Sequence, residues 1–165
     1  MRTHVASLLH DDHMATLALI GRLEALLGRH GPASAPDASS VPVATLLRDV
    51  EQAVAREIRP HFAFEEAELF PRLAEAGLDE LVELLVAEHA ALLPLADRAV
   101  ELAGRGRGRG AGFTPVVWVE FHTVAATLAG QLAAHVEKEE MGLLPALDDL
   151  LDAETDTALA LAALR

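Results

Sequence analysis

The chain has 165 residues, 52% of them hydrophobic, and a formal net charge of −13 at pH 7. That length suits one domain with a sizeable core, and the acidity argues against a nucleic-acid surface. There is no cysteine, which excludes disulfides, thiolate zinc sites, iron–sulfur clusters and cysteine nucleophiles.

Leu and Ala recur at helical spacing, so an all-α fold is expected. The N-terminal MRTHVASLLHDDH is too broken by His and Asp to be a signal peptide, and no apolar run reaches membrane-spanning length. A soluble, cytoplasmic protein with no membrane partner is the expectation. The first predicted helix covers Ser7 to Arg29, and Gly31 to Pro42 (GPASAPDASSVP) reads as a loop. A second helix is predicted over Val43 to Glu75 and a third over Leu78 to Ala103. Pro60 and Pro94 should kink or interrupt them. Gly104 to Gly112 (GRGRGRGAG) is expected as a flexible loop, since the protein's acidity outweighs an RNA-contacting role for its arginines. Pro115 to Leu144 supplies a fourth helix, and a shorter one near Ala153 to Leu164 should pack at the end. Two helices, a link and two more predict an up-and-down antiparallel four-helix bundle. Residues 1–165 form a single domain in this reading, with a core at about 5–148 and a C-terminal extension at 149–165.

The second and fourth segments repeat one another. His61-x3-Glu65-Glu66-x2-Leu69-x-Pro71-x-Leu73 recurs as His135-x3-Glu139-Glu140-x2-Leu143-x-Pro145-x-Leu147, at a constant offset of 74 residues. The first and third segments echo each other more weakly: Asp12-His13 and Glu88-His89 each place an acid before a histidine. Each half of the chain therefore supplies one lone His and one His-x3-Glu, which implies a pseudo-twofold axis along the bundle.

Residues four apart share one helix face. If both His-x3-Glu pairs face the axis, two imidazoles and two carboxylates converge, and His13 and His89 add one imidazole each. A carboxylate can bridge two cations, so Glu65 and Glu139 are the expected bridges, with His13 and His61 capping one metal and His89 and His135 the other. Left buried without partners, these groups would be costly. Glu66 and Glu140, about 100° further round the helix, are expected to face solvent. His4, His30 and His122 are read as surface or capping residues, and His10 as a supporting group or substitute ligand. Such a donor set suits iron, manganese or zinc. Ferritin-like proteins place Glu three residues before His; here His comes first, at a spacing of four, which excludes that class.

At these residues the sequence resembles the hemerythrin-like (HHE cation-binding) family, from about Leu8 to Leu147. The resemblance rests on Leu-Leu-His-Asp-Asp-His13, both His-x3-Glu-Glu-x2-Leu-x-Pro motifs and Glu88-His89. It implies a non-haem centre of two iron ions with an oxo or hydroxo bridge, ligated by His13, His61, Glu65, His89, His135 and Glu139. One position departs: where oxygen carriers of the family have a fifth histidine, this chain has Leu85. Water, Glu57, Glu68 or His10 could fill the place, and open positions favour reaction with a small molecule. The expected function is a di-iron protein reacting with O2, peroxide or nitric oxide in oxidative or nitrosative defence. A carrier or sensor of O2 or iron, and an iron-centre repair protein, are the alternatives. Turnover is left open, as is the choice between monomer and homodimer.

Overall fold

The computed structural model describes residues 2–108 and 112–164. Among the described residues there are five helical rods and no β-strand. The first is α1 (His4–Arg29). The second runs without a break through α2 (Val41–Ala53), a π-helical segment (Val54–Ile58), α3 (Arg59–Phe64), a second π segment (Glu65–Leu69) and α4 (Phe70–Glu75). The third is α5 (Asp79–Arg107). The fourth joins α6 (Pro115–Lys138), a third π segment (Glu139–Leu143) and α7 (Leu144–Leu150), and the fifth is α8 (Ala153–Ala163). No helix is long and apolar enough to cross a membrane among the described residues.

Local chemistry sets the ends of these rods. Thr3, Thr114 and Asp152 each accept a backbone N–H from the first turn they precede. The turn between α4 and α5 requires Gly77, whose φ is +85°; Leu78 N–H then reaches back to the Leu73 carbonyl at 3.0 Å.

The π segments have a visible cause. Proline lacks an N–H and its ring crowds the carbonyl four residues earlier. For Pro60, Pro71 and Pro145 that carbonyl belongs to Arg56, Ala67 and Met141, the central residues of the three π segments. The backbone widens there and the rod continues. Pro60 thus interrupts the α-helical pattern without ending the rod, whereas Pro94 does not interrupt it: α5 stays α-helical through it. Pro94 and Ala90, whose carbonyl loses its partner, are both exposed, so water can serve that carbonyl.

Rod one packs on rods two and four, and rod three also packs on rods two and four, giving a helical bundle with three stacked apolar clusters. One end is aromatic, with Trp118, Phe121 and Phe113. The middle holds Ile20, Val54, Phe62, Leu92 and Leu128. The other end gathers Val5, Leu9, Leu69, Phe70, Leu85 and Leu147, closed by Leu159 of α8. Helix α8 also ties down the start of the chain, because the buried Asp156 accepts both His4 N–H and Val5 N–H at 2.9 Å.

The Arg-Gly stretch corrects an expectation. Gly104 to Arg107 are helical, not a flexible loop, because Gly106 is buried against the ring of Phe113 and Arg107 pairs with Glu51 at 3.1 Å. Residues 109–111 of the stretch lie outside the described residues.

Candidate metal centre

Six side chains from four rods meet between the middle and terminal apolar clusters. His13 comes from α1, His61 from α3, His89 from α5 and His135 from α6, while Glu65 and Glu139 each open a π segment. The repeat offset of 74 residues therefore extends to the backbone, since Glu65–Leu69 and Glu139–Leu143 are both π-helical. Such bulges concentrate at functional sites. His13, Glu65, His89, His135 and Glu139 are all buried, at 2% exposure or less; the His61 side chain is 8% exposed.

The side chains fall into two groups that share both carboxylates: His13, His61, Glu65 and Glu139, and Glu65, His89, His135 and Glu139. Glu65 offers Oε1 to His61 Nε2 at 3.2 Å and Oε2 to His89 Nε2 at 3.4 Å. Glu139 offers Oε2 to His13 Nε2 at 3.0 Å and Oε1 to His135 Nε2 at 2.9 Å. The Nε2 atoms of His89 and His135 lie 3.2 Å apart. Two donors about 2.1 Å from one ion are separated by about 3.0 Å at right angles and about 3.4 Å at tetrahedral angles. These contacts have the lengths of coordination edges.

The hydrogen bonding points the same way. All four carboxylate oxygens of Glu65 and Glu139, and Nε2 of His13, are buried without a hydrogen-bond partner among the described residues. Each such atom costs roughly 1–3 kcal/mol, more when charged. Cations held by both groups would satisfy all five, so the residues fit a pair of metal ions.

Every candidate ligand histidine is held from behind by a carboxylate at Nδ1. Glu140 meets His13 at 2.7 Å, Asp12 meets His61 at 3.1 Å, Glu66 meets His89 at 2.8 Å and Glu88 meets His135 at 2.9 Å. An ionised carboxylate only accepts, so Nδ1 carries the proton and Nε2 is free to donate its lone pair inward. Lys138 in turn meets Glu88 at 2.8 Å. Glu66 is exposed, as expected, with 45% of its side chain accessible, whereas Glu140, at 22%, departs from the expectation that it faces solvent. Both reach sideways onto a histidine of the neighbouring rod, from a backbone already widened by the π segment. The roles of Asp12 and Glu88 were not read from the sequence, although the two acid–His dipeptides were the signal.

Phe62 stacks on His89 with centroids 3.7 Å apart, and Phe70 lies 5.5 Å from the same ring on the side of the terminal cluster. Burial alone would lower an imidazole pKa. The Glu65 and Asp12 carboxylates outweigh it and carry His61 up to about 10. Glu139, Glu65 and Glu66 likewise carry His89 up to about 9. Burial favours the neutral form of Glu139, yet His13, His135 and His89 hold it well below the usual carboxylate range. The cavity is thus built for positive charge at its centre.

The remaining candidates stand apart from the six. His10 turns onto Glu140 at 3.0 Å and so shares the carboxylate that supports His13. His4 lies at the α1 start beside Asp156, His30 caps the end of α1, and His122 donates to the Leu27 carbonyl. Leu85 is fully buried in the terminal apolar cluster. Glu57 borders the small cavity beside His13 and His61.

Residues 4–147 match the family model described as Hemerythrin HHE cation binding domain. A comparison with curated proteins found no match.

Proposed function

The chain belongs to the hemerythrin HHE cation-binding family, and from that premise we propose that it holds two iron ions and reacts with a small ligand: O2, nitric oxide or peroxide. Ligation by His13, His61, Glu65, His89, His135 and Glu139, in an up-and-down bundle with a pseudo-twofold axis, completes the reading. The observation that carries it is the division of each carboxylate, Glu65 and Glu139, between the two histidine groups. Iron cycling between Fe(II) and Fe(III) would supply the electron transfer. The protein's part is to bind, orient and exclude water. Four imidazoles are aimed by their Nδ1 carboxylates, and Phe62 and Phe70 wall one side. Leu85 adds no donor, so the His89–His135 side has two nitrogen ligands, like the His13–His61 side, and positions remain for a reacting molecule.

The test is to purify the protein anaerobically from iron-supplemented cells, quantify metal per chain and record spectra with O2, peroxide and nitric oxide. Two irons per chain with near-ultraviolet absorption support the centre, and rapid peroxide loss supports a defensive role. Failure to retain Fe(II) after reconstitution rejects it.

A further inference from the structure

Two small cavities lie in series along the bundle axis, and only one of them touches the metal centre. The inner cavity, about 20 Å3, is lined by His13, His61, His135 and Glu139 together with Thr16, Ile58 and Leu132. The outer cavity, also about 20 Å3, shares Thr16, Ile58 and Leu132 as walls and is completed by aliphatic residues. Three of these, Ile20, Val54 and Leu128, lie one helical turn beyond the shared walls on α1, the first π segment and α6. The linings of the two chambers are offset along each of these three rods and share one layer of side chains, so the chambers are stacked end to end.

Their chemistry differs. Among the described residues no charged side chain lines the outer chamber, and Thr16 supplies its single hydroxyl. A chamber of that size can admit one small molecule, but a water there needs two to four polar partners, and dry apolar cavities accept apolar guests instead. Hydrogen peroxide, with two O–H donors, meets the same penalty as water. A different opening suits it. On the face near His61, a groove of about 190 Å3 is lined by Asp12, Arg56, Glu57 and His61, with Ala163 and Leu164 of the C-terminal end at its edge.

We propose that the outer chamber, walled by Ile20, Val54, Leu128 and Ala129, is a binding site for an uncharged diatomic gas, and that gas passes from it to the metal centre between Thr16, Ile58 and Leu132. The centre then has two approaches of unlike polarity. O2 or nitric oxide uses the aliphatic one, and peroxide and incoming cations use the groove beside Asp12 and Glu57. This inference rests on the gas-reactive reading above. Its test is independent of iron.

The probe is xenon, applied under pressure to crystals of the metal-free protein. One xenon atom among Val54, Leu128 and Ala129 supports the site, and no xenon there overturns it, whether or not the protein loads iron. Ala129→Leu fills the chamber and should abolish the xenon position. In the iron-loaded, reduced protein the same variant should slow nitric oxide uptake about tenfold, or about 1.4 kcal/mol of barrier, and leave the peroxide rate unchanged. Equal rates for nitric oxide in both proteins, or an equal fall for nitric oxide and peroxide, would overturn the passage. Should Ala129→Leu fail to fold, the xenon result on the unaltered chain still decides.

Discussion

Nδ1 of His13 and Oε1 of Glu140 lie 2.7 Å apart although they come from opposite halves of the repeat. The reciprocal contact joins Glu66 to His89 at 2.8 Å, whereas Asp12 supports His61 and Glu88 supports His135 within their own halves. A carboxylate behind a ligating imidazole raises its basicity and fixes its orientation. Glu140→Gln or Glu66→Gln, which keep size and lose charge, should weaken metal binding about 10–100-fold with unchanged helicity. Competition against a chelator, alongside circular dichroism, measures both quantities. Unchanged affinity would show that the contact does not orient the site.

The shared carboxylates make a different prediction from the histidines. Glu139→Ala removes an oxygen from each group, so both ions should be lost. His89→Ala removes a donor from one group, and one ion should remain. Metal content per folded chain separates these outcomes, and equal loss in both variants would contradict two groups bridged by carboxylates.

The metal-free protein should depend on pH in an unusual direction. His61 and His89 have folded pKa values of about 10 and about 9 against an ordinary 6.5. A folded value above the unfolded one means stability that is fully present below about pH 6.5 and lost as pH rises through 9 and 10. Glu139, depressed well below 4.5, adds stability that disappears only as pH falls through its folded value. Urea midpoints of the metal-free chain should therefore decline across the alkaline window. The metal-loaded form, whose imidazoles carry no Nε2 proton, should lack that decline.

Two glycines should respond oppositely to the same substitution. A Cβ at Gly106 would sit 2.4 Å from the Phe113 ring, while one at Gly130 meets nothing within 4 Å. Gly106→Ala should destabilise by about 1–3 kcal/mol through overpacking. Gly130→Ala, in the exposed face of α6, should stabilise by up to about 1 kcal/mol. Thermal unfolding of the two variants reads both signs.

Much of this was legible in the residues themselves. The apolar periodicity located the rods to within a few residues, because burial of one face is a local pattern, except that the fourth continues past the expected Leu144 to Leu150. The helical extent of the Arg-Gly stretch escaped it, since it goes with distant partners: Phe113, seven positions later, against Gly106, and Glu51 paired with Arg107. Four of the six clustered side chains were visible because His-x3-Glu fixes a shared face and recurs, and His13 and His89 through the weaker echo of an acid before a histidine. Their Nδ1 partners were not: Glu140 and His13 are 127 residues apart, and helix rotation alone points Glu140 outward. The π segments depend on prolines whose effect varies with exposure, as Pro60 and Pro94 show.

The crossed supports also mean that neither half of the chain is self-sufficient. Opened at the Gly77 turn, the polypeptide would yield two hairpins, each with a lone histidine whose supporting carboxylate resides on the other fragment and each with a carboxylate lacking its second set of donors. Metal would then behave as the adhesive of a two-piece assembly, and recombining the fragments would depend on the ion they can only grip together.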